Sequence, residues 1–119
     1  MSKNVLNCNA ELHRGDFLMS NNGNFKAIYQ EDGNFVIYGW SPIWASNTCG
    51  CTGNRVVMQE DCNLVMYDGE GDNSSPVWAS ATSYRSGGPH WKAHALLRDD
   101  GSLVVQKDGK VLWKADGKQ

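Results

Sequence analysis

The chain has 119 residues and a formal net charge of −2, with 13 glycines and 3 prolines. This length suits a single domain with one core, spanning residues 1–119, and the near balance of charges leaves no basic stripe for nucleic acid or anionic lipid. No stretch is apolar over the roughly 7–15 residues of a secretory leader or the ~20 residues of a membrane span, so we expect no membrane insertion and no recognisable signal peptide.

The first predicted element is a hairpin, "DFLMSNNGNFKAIY", with Asn-Gly at its tip. After it, short runs rich in Val, Ile, Phe and Tyr alternate with Asp-Gly and Gly-Gly turn signals, and no longer window carries the apolar period of a helix. The sequence therefore predicts an all-β chain, built as a sandwich, a small barrel or a prism of antiparallel sheets.

Three units of the chain share one order of features: "KAIYQEDGNFVIYGWSPIWASNT", "RVVMQEDCNLVMYDGEGDNSSPVWASATS" and "HALLRDDGSLVVQKDGKVLWKADG". Trp44, Trp78 and Trp113 occupy matching places in them, 34 and 35 residues apart. Such a repeat predicts three related sheets of about four strands each, with the three indoles filling a shared core. Trp40 and Trp91 fall outside the pattern and are expected at the surface.

The polar motif of the first unit, "QEDGNFVIY", cannot serve one small ligand as a continuous strand, because its ends would lie roughly 26 Å apart. As a hairpin, the same residues fold back, so that Gln30 approaches Val36 and Tyr38 while Asp32 and Asn34 lie at the turn. A plain two-residue loop would give the wrong register. We therefore expect a bulge or a longer connection.

Alternation along the strand after each turn separates a core face from an outer face. The predicted core face carries Phe35, Ile37, Leu64, Met66, Leu103 and Val105. The outer face carries an amide, a carboxylate, a second amide, a valine and a phenol, and these donors and acceptors suit several sugar hydroxyls. The alternative is local turn chemistry, in which Asp and Asn only bond their own backbone.

The motif QxDxNxVxY, followed by "WASNT", resembles the B-type (bulb-type, monocot mannose-binding) lectin family, and "RGDFLMSNNGNFKA" is similar to the lily-type lectins of fish skin mucus. The resemblance implies a β-prism of three four-stranded antiparallel sheets with pseudo-threefold symmetry. It implies calcium-independent binding of mannose and high-mannose glycans, with no metal or other cofactor. Asp and Asn would contact the 2-hydroxyl, Gln the 3-hydroxyl and Tyr the 4-hydroxyl, with Val packed on the ring. The matching residues are Gln30, Asp32, Asn34, Val36 and Tyr38 in one site and Gln59, Asp61, Asn63, Val65 and Tyr67 in the other.

The third unit departs from this pattern at three of the five positions. Its residues are Arg98, Asp100, Ser102, Val104 and Gln106. Lost hydrogen-bond partners cost on the order of 1 kcal/mol each, which is enough to abolish a weak site, so we predict that this third site does not bind mannose.

The resemblance also implies a role in innate defence against microbes or parasites. It implies a homodimer formed by exchange of C-terminal strands around "KVLWKADGKQ". We expect secretion into mucus without a recognisable signal peptide, with a cytoplasmic location as the alternative.

Two other function classes compete with a lectin. A glycosidase would pair Asp32 or Asp61 with a second carboxylate, such as Glu31 or Glu60, but a repeated site lacks the distinct acid and base environments that catalysis requires, so we predict no enzyme. A non-catalytic protein-interaction scaffold with vestigial sugar sites is the remaining alternative.

Three further signals have ordinary explanations. Cys8, Cys49, Cys51 and Cys62 allow three pairings that the sequence does not distinguish. Their spacing does not suit structural zinc, and no metal site is predicted. The tripeptide at residues 14–16 matches an adhesion motif, but its Gly and Asp also suit the turn before a strand.

Overall fold

The computed structural model describes residues 3–69, 73–82 and 93–116. Within these ranges the chain forms twelve β-strands. They are β1 (Val5–Leu6), β2 (Glu11–His13), β3 (Phe17–Met19), β4 (Lys26–Tyr29), β5 (Phe35–Tyr38), β6 (Pro42–Ala45), β7 (Arg55–Met58), β8 (Leu64–Asp68), β9 (Ser75–Ala79), β10 (His94–Leu97), β11 (Leu103–Lys107) and β12 (Lys110–Ala115). None of the described segments is a helix of the length and apolarity needed to cross a membrane.

The strands form three four-stranded sheets, in the orders β3-β4-β5-β6, β2-β7-β8-β9 and β1-β10-β11-β12. Every pairing is antiparallel. The all-β class and the three four-stranded sheets predicted from the repeat are therefore confirmed.

The origin of the outermost strand differs from a simple repeat of four strands per unit. Each unit supplies three consecutive strands, and the fourth comes from the N-terminal segment, which gives β3 to the first sheet, β2 to the second and β1 to the third. These added strands are only two or three residues long. The N-terminal segment thus ties all three units together.

The inner hairpins share one register. Tyr29 pairs with Phe35 directly beside the first turn, and the equivalent pairs beside the other two turns are Met58 with Leu64 and Leu97 with Leu103. A register shift follows in each outer pairing, between residues 37 and 38, 66 and 67, and 105 and 106. A bulge of this kind changes the direction of the side chain that follows it, which here is the last residue of each motif.

The core lies between the three sheets, and the predicted inward residues form it. Phe35, Ile37, Leu64, Met66, Leu103 and Val105 are all buried in one cluster. The indoles of Trp44, Trp78 and Trp113 pack against this cluster with ring centroids 5.6–5.7 Å apart and steeply inclined planes. Edge-to-face pairs add about 0.5–1.5 kcal/mol each beyond their buried area. The predicted tryptophan core therefore stabilises the packing of the three sheets against one another.

The remaining sequence signals fall in three places. Trp40 is fully exposed, as predicted, while Trp91 lies outside the described residues. The four cysteines, all in described segments, form no disulfide. Among the described residues, no group of three or more His, Cys, Asp or Glu side chains is placed to hold a metal ion.

Candidate functional site

The first motif turn has three residues between Gln30 and Asn34, so of the two predicted alternatives, a bulge or a longer connection, the longer connection is confirmed. The backbone N–H of Gln30 donates to Asn34 O at 2.9 Å, and that of Gly33 donates to Gln30 O at 3.0 Å. Gly33 has a φ of 89°, a conformation that glycine adopts without strain. The second and third turns repeat both bonds, from Gln59 and from Arg98.

In the first two units, the first and last residues of the motif meet across the hairpin. The side-chain amide of Gln30 donates to the Tyr38 hydroxyl, and that of Gln59 donates to the Tyr67 hydroxyl. The first and last residues of each motif are therefore in contact, as the hairpin interpretation predicted. A sugar at this place would meet both groups at once.

In each turn, one carboxylate oxygen of the aspartate accepts a hydrogen bond from the backbone. Asp32 Oδ1 accepts from Asn34 N at 3.0 Å, Asp61 Oδ1 from Asn63 N at 3.0 Å and Asp100 Oδ1 from Ser102 N at 2.9 Å. Turn chemistry thus explains this oxygen in all three units. It does not explain the amides and phenols that recur around the first two.

The second oxygen of Asp32 faces a thiol. Cys49 Sγ donates weakly to Asp32 Oδ2 at 3.5 Å, and this hydrogen bond to the carboxylate raises the pKa of the Cys49 thiol. A thiol is a weak donor, so Asp32 Oδ2 keeps most of its capacity to accept from a ligand hydroxyl.

The motif asparagines are held by the segment after the third strand of their sheet. Asn34 Oδ1 accepts from Ser46 Oγ at 3.2 Å and from Thr48 N at 3.1 Å. A backbone N–H can only donate, so Thr48 N establishes that the accepting atom of Asn34 is its oxygen. The Asn34 amide nitrogen is then the group with which this side chain can donate.

The second unit repeats this arrangement atom for atom. Asn63 Oδ1 accepts from Ser80 Oγ at 3.2 Å and from Thr82 N at 3.2 Å. In both units the serine hydroxyl also accepts from the backbone N–H after the asparagine at 3.1 Å and contacts the threonine hydroxyl at 2.7 Å. We call each set of serine and threonine, Ser46 with Thr48 and Ser80 with Thr82, the asparagine clamp.

Our sequence interpretation of the site did not include the clamp residues. The signal was present in the repeated "WASNT" and "WASAT" that follow the motifs. The third unit has "WKADG" there, so Ala115 replaces the serine, and Gly117, outside the described residues, replaces the threonine. The motif asparagine and both of its clamp residues are therefore lost together in the third unit.

Val36 and Val65 are more covered than packing on a sugar ring implies. They lie on the outer face and outside the core cluster, yet only 3% and 2% of their surfaces are exposed. Val36 pairs with Ile28 on one side and with Ala45 on the other, in the middle of its sheet. In this structure neither valine presents an open apolar face.

The third unit keeps the hairpin, but the serine in its turn bonds to the aspartate of the same turn. Ser102 donates to Asp100 Oδ1 from its hydroxyl at 2.6 Å as well as from its backbone. These two bonds, the side-chain bond first, lower the pKa of Asp100. Val104 is buried, and Arg98 and Gln106 replace the Gln and Tyr that meet in the other units. The structure therefore contains two matching candidate sites and one altered copy.

Arg14 stabilises the first site from behind. Its guanidinium donates to the carbonyls of Glu31 at 2.6 Å, Cys51 at 2.8 Å and Gly53 at 2.6 and 2.9 Å. A cation bonded in this way to three carbonyls is not presented to a partner. The arginine that an adhesion motif at residues 14–16 would require is therefore not available to a partner.

Comparison with known proteins shows the family and the fold to which the chain is similar. No family model matches the chain. The B-type lectin plumieribetin of Scorpaena plumieri is 47% identical over 113 residues, 95% of each chain. A mannose-specific lectin of Galanthus nivalis is 44% identical over 70 residues, 57% of this chain and 43% of that protein.

Solved structures agree with the sequence relatives. The snowdrop (Galanthus nivalis) mannose-specific agglutinin, in complex with methyl-α-D-mannoside, is 35% identical with a TM-score of 0.74, covering 91% of this chain and 93% of its own. A Marasmius oreades lectin has a TM-score of 0.79 at 28% identity, covering 95% and 90%.

The fold and the paired hairpin sites define a β-prism lectin, a class of non-enzymatic carbohydrate-binding proteins. Within that class, the chain belongs to the B-type lectin family. The family, the β-prism fold and the absence of an enzymatic role, each predicted from the sequence, are thereby confirmed.

Proposed function

We propose that this protein binds mannose and mannose-containing glycans, without calcium, at two sites per chain. The observation that carries the proposal is the repetition of the whole polar site, with its asparagine clamp, in the first two units and its loss in the third. Mannose as the sugar is supported by relatives named mannose-specific lectins and by the snowdrop agglutinin bound to methyl-α-D-mannoside.

Each side chain has a distinct role in this proposal. The Asp32 carboxylate accepts and the Asn34 amide nitrogen donates, so together they hold one hydroxyl as donor and acceptor at once. Gln30 and Tyr38 exchange the bond they make with each other for bonds to two further hydroxyls. Because protein groups alone complete this set, no ion is needed, and chelation with EDTA should leave affinity unchanged.

Mutation of the two turn aspartates tests the proposal. We expect Asp32→Ala and Asp61→Ala each to reduce mannose-type signal on a glycan array, and the double mutant to abolish it. Asp100→Ala is the matched control, because it removes the same turn bond from a unit without a site and should leave the signal intact. Undiminished mannose binding by the double mutant would overturn the proposed sites. A protein partner that free mannose does not displace would favour the scaffold alternative.

We extend the proposal to high-mannose glycans of microbes or parasites as targets in innate defence. A site of millimolar strength is worth only about 4 kcal/mol, so useful binding depends on linked sites. A homodimer would double their number. Sedimentation equilibrium tests this: a single species at the monomer mass would contradict the dimer.

Secretion into mucus completes the proposed setting, since it would bring the protein to glycan-coated cells. Immunodetection in mucus tests this location. Detection confined to cell extracts would favour the cytoplasmic alternative instead.

A further inference from the structure

Trp40 is the most exposed large apolar side chain among the described residues. It stands in the connection between β5 and β6 with a relative exposure of 107%, whereas Val111 and Val77 expose 40% and 37%. Removing a fully exposed indole from water is energetically favourable, and tryptophans are frequent anchors of binding surfaces. The position of Trp40 indicates which partner that is.

A groove joins Trp40 to the first site. A hollow of about 360 Å³ crosses the outer face of the first sheet from Gln30 and Tyr38, past Lys26, to Phe25. A second hollow shares its far wall, residues 23–25 and Gly39, and reaches Trp40. The first volume lies within the range of about 300–1,000 Å³ typical of ligand pockets.

The far wall of the groove is anchored by the third unit. Asn22 donates from its backbone to Asp99 Oδ1 at 2.9 Å and from its side chain to Asp99 O at 2.9 Å. The Phe25 ring lies so close to Gly101 that a Cβ there would meet it at 2.7 Å. The altered third turn thus holds the wall in place, and a preorganised wall lowers the entropic cost of binding.

The equivalent end of the second site is occupied by an arginine. Lys26 pairs with Tyr38 and Arg55 pairs with Tyr67, so the two cations hold matching positions. Lys26 Nζ lies 4.3 Å from the ring centroid of Phe17, on the side of β4 away from Tyr38. The Arg55 guanidinium lies instead over Tyr67, 5.1 Å from its centroid.

Further bonds fix Arg55 in that position, because it also donates to Gly69 O and to Ser74 Oγ. The residues after Tyr67 are Asp and Gly, where the first unit has Gly and Trp. The first site is therefore open along its sheet, and the second is covered at the same point.

We propose that the groove between Tyr38 and Trp40 is a second sugar subsite, which binds the next residue of an oligomannoside whose first residue occupies the first site. This rests on the proposed function. The indole receives the apolar face of the second ring, and the Asn24 side chain, which lines the groove, can donate to and accept from its hydroxyls. Among the described residues, Arg55 covers the equivalent place beside the second site, so that site should bind a terminal sugar only.

Variants that isolate one site test this inference. Asp61→Ala leaves the first site, and Asp32→Ala leaves the second. Calorimetric titration of each with methyl α-mannoside, α-linked mannobiose and mannotriose should show a gain of about tenfold for the longer sugars at the first site and less than about twofold at the second. Adding Trp40→Ala to Asp61→Ala should remove the gain while monosaccharide affinity stays the same.

Controls separate this inference from the proposed function. Trp40→Tyr should retain part of the gain, and Val111→Ala, a truncation at another exposed apolar side chain, should retain all of it. If no variant or wild-type protein binds the monosaccharide, the proposed function itself fails. If monosaccharide binding is normal but the gain survives Trp40→Ala, or is equal at both sites, the second subsite is wrong. Loss of a dimer in Trp40→Ala, with the gain intact, would assign the indole to a protein interface instead.

Discussion

Asn34 serves both the fold and the site through the two ends of one amide. Its oxygen accepts from Ser46 Oγ and Thr48 N, which fastens the turn to the segment after β6. Its nitrogen is then the end of the amide that can donate to a sugar hydroxyl in the proposed function. A single residue type therefore joins the hairpin to the rest of its sheet and, in the proposed function, donates to the sugar from its nitrogen. Asn63 repeats the same bonds in the second unit.

Removing the clamp hydroxyl should affect one site at a time. In Ser46→Ala, Phe35 N and Asn34 Oδ1 lose a partner, so we expect a loss of about 1–3 kcal/mol in the free energy of unfolding. We also expect severalfold weaker sugar binding at the first site, because the Asn34 amide is then held only by the bond from Thr48 N. Site-resolved NMR titration and urea unfolding measure the two effects.

Ser80→Ala is the matched variant for the second site. It removes the equivalent hydroxyl, so it should weaken the second site and spare the first. Equal weakening of both sites by either variant would show that the hydroxyls act through global stability rather than through the clamp.

Asp100 should make the free energy of unfolding depend on pH in the acid range. The bonds from Ser102 lower the pKa of Asp100 in the folded chain below its ordinary value of 3.8. The ionised carboxylate therefore stabilises the fold above that value, and the contribution is lost as pH falls through the lowered pKa. The free energy of unfolding, measured against pH for wild type and Asp100→Asn, should converge only at the acid end. Parallel curves below pH 4 would contradict this account.

At the scale of strands and turns, the motif hairpins could be predicted because two patterns agreed. Period-two alternation in β5, β8 and β11 put one set of residues in the core, and a ligand-sized site required the chain to fold back between Gln30 and Tyr38. The N-terminal strands could not be predicted in this way. Strands of two or three residues, such as β1 and β2, are too short to display a period, and their partners are far along the chain.

The limits of prediction at the site have a similar cause. The five motif residues of each site lie close together in sequence, so a local pattern could find them. The clamp residues follow 12 and 14 positions after Asn34, across a whole strand, and their bonds to it depend on sheet pairing. The burial of Val36 could not be predicted either, because it depends on tertiary packing and not on the alternation along β5.

The turns of the third unit offer a paired test of packing against backbone strain. Gly101 and Gly109 both have a positive φ, 88° and 81°. A Cβ at Gly101 would overlap Phe25, while a Cβ at Gly109 would meet nothing within 4 Å. We expect Gly109→Ala to cost about 1–2 kcal/mol in unfolding free energy from backbone strain alone. Gly101→Ala should cost about 1–3 kcal/mol more from the overlap. Equal losses in urea unfolding would mean that Phe25 moves aside freely.

At the scale of the whole molecule, the scaffold has three matching units, whereas the proposed sugar sites occupy only two of them. All three units keep the hairpin, the bulge and one indole of the central triad, which packs against the core shared by the three sheets. Only two units keep the polar site, since the core does not depend on it. The third unit retains a structural use, as its turn anchors Asn22 and Phe25 beside the first site.

The number of sugars bound per chain tests the central claim most directly. Titration of the wild-type protein with methyl α-mannoside, followed by NMR or calorimetry at high protein concentration, should give two sites per chain. Asp32→Ala and Asp61→Ala should each give one, and the double mutant none. A stoichiometry of three, or a single site that survives the double mutant, would contradict the assignment of function to the first two units.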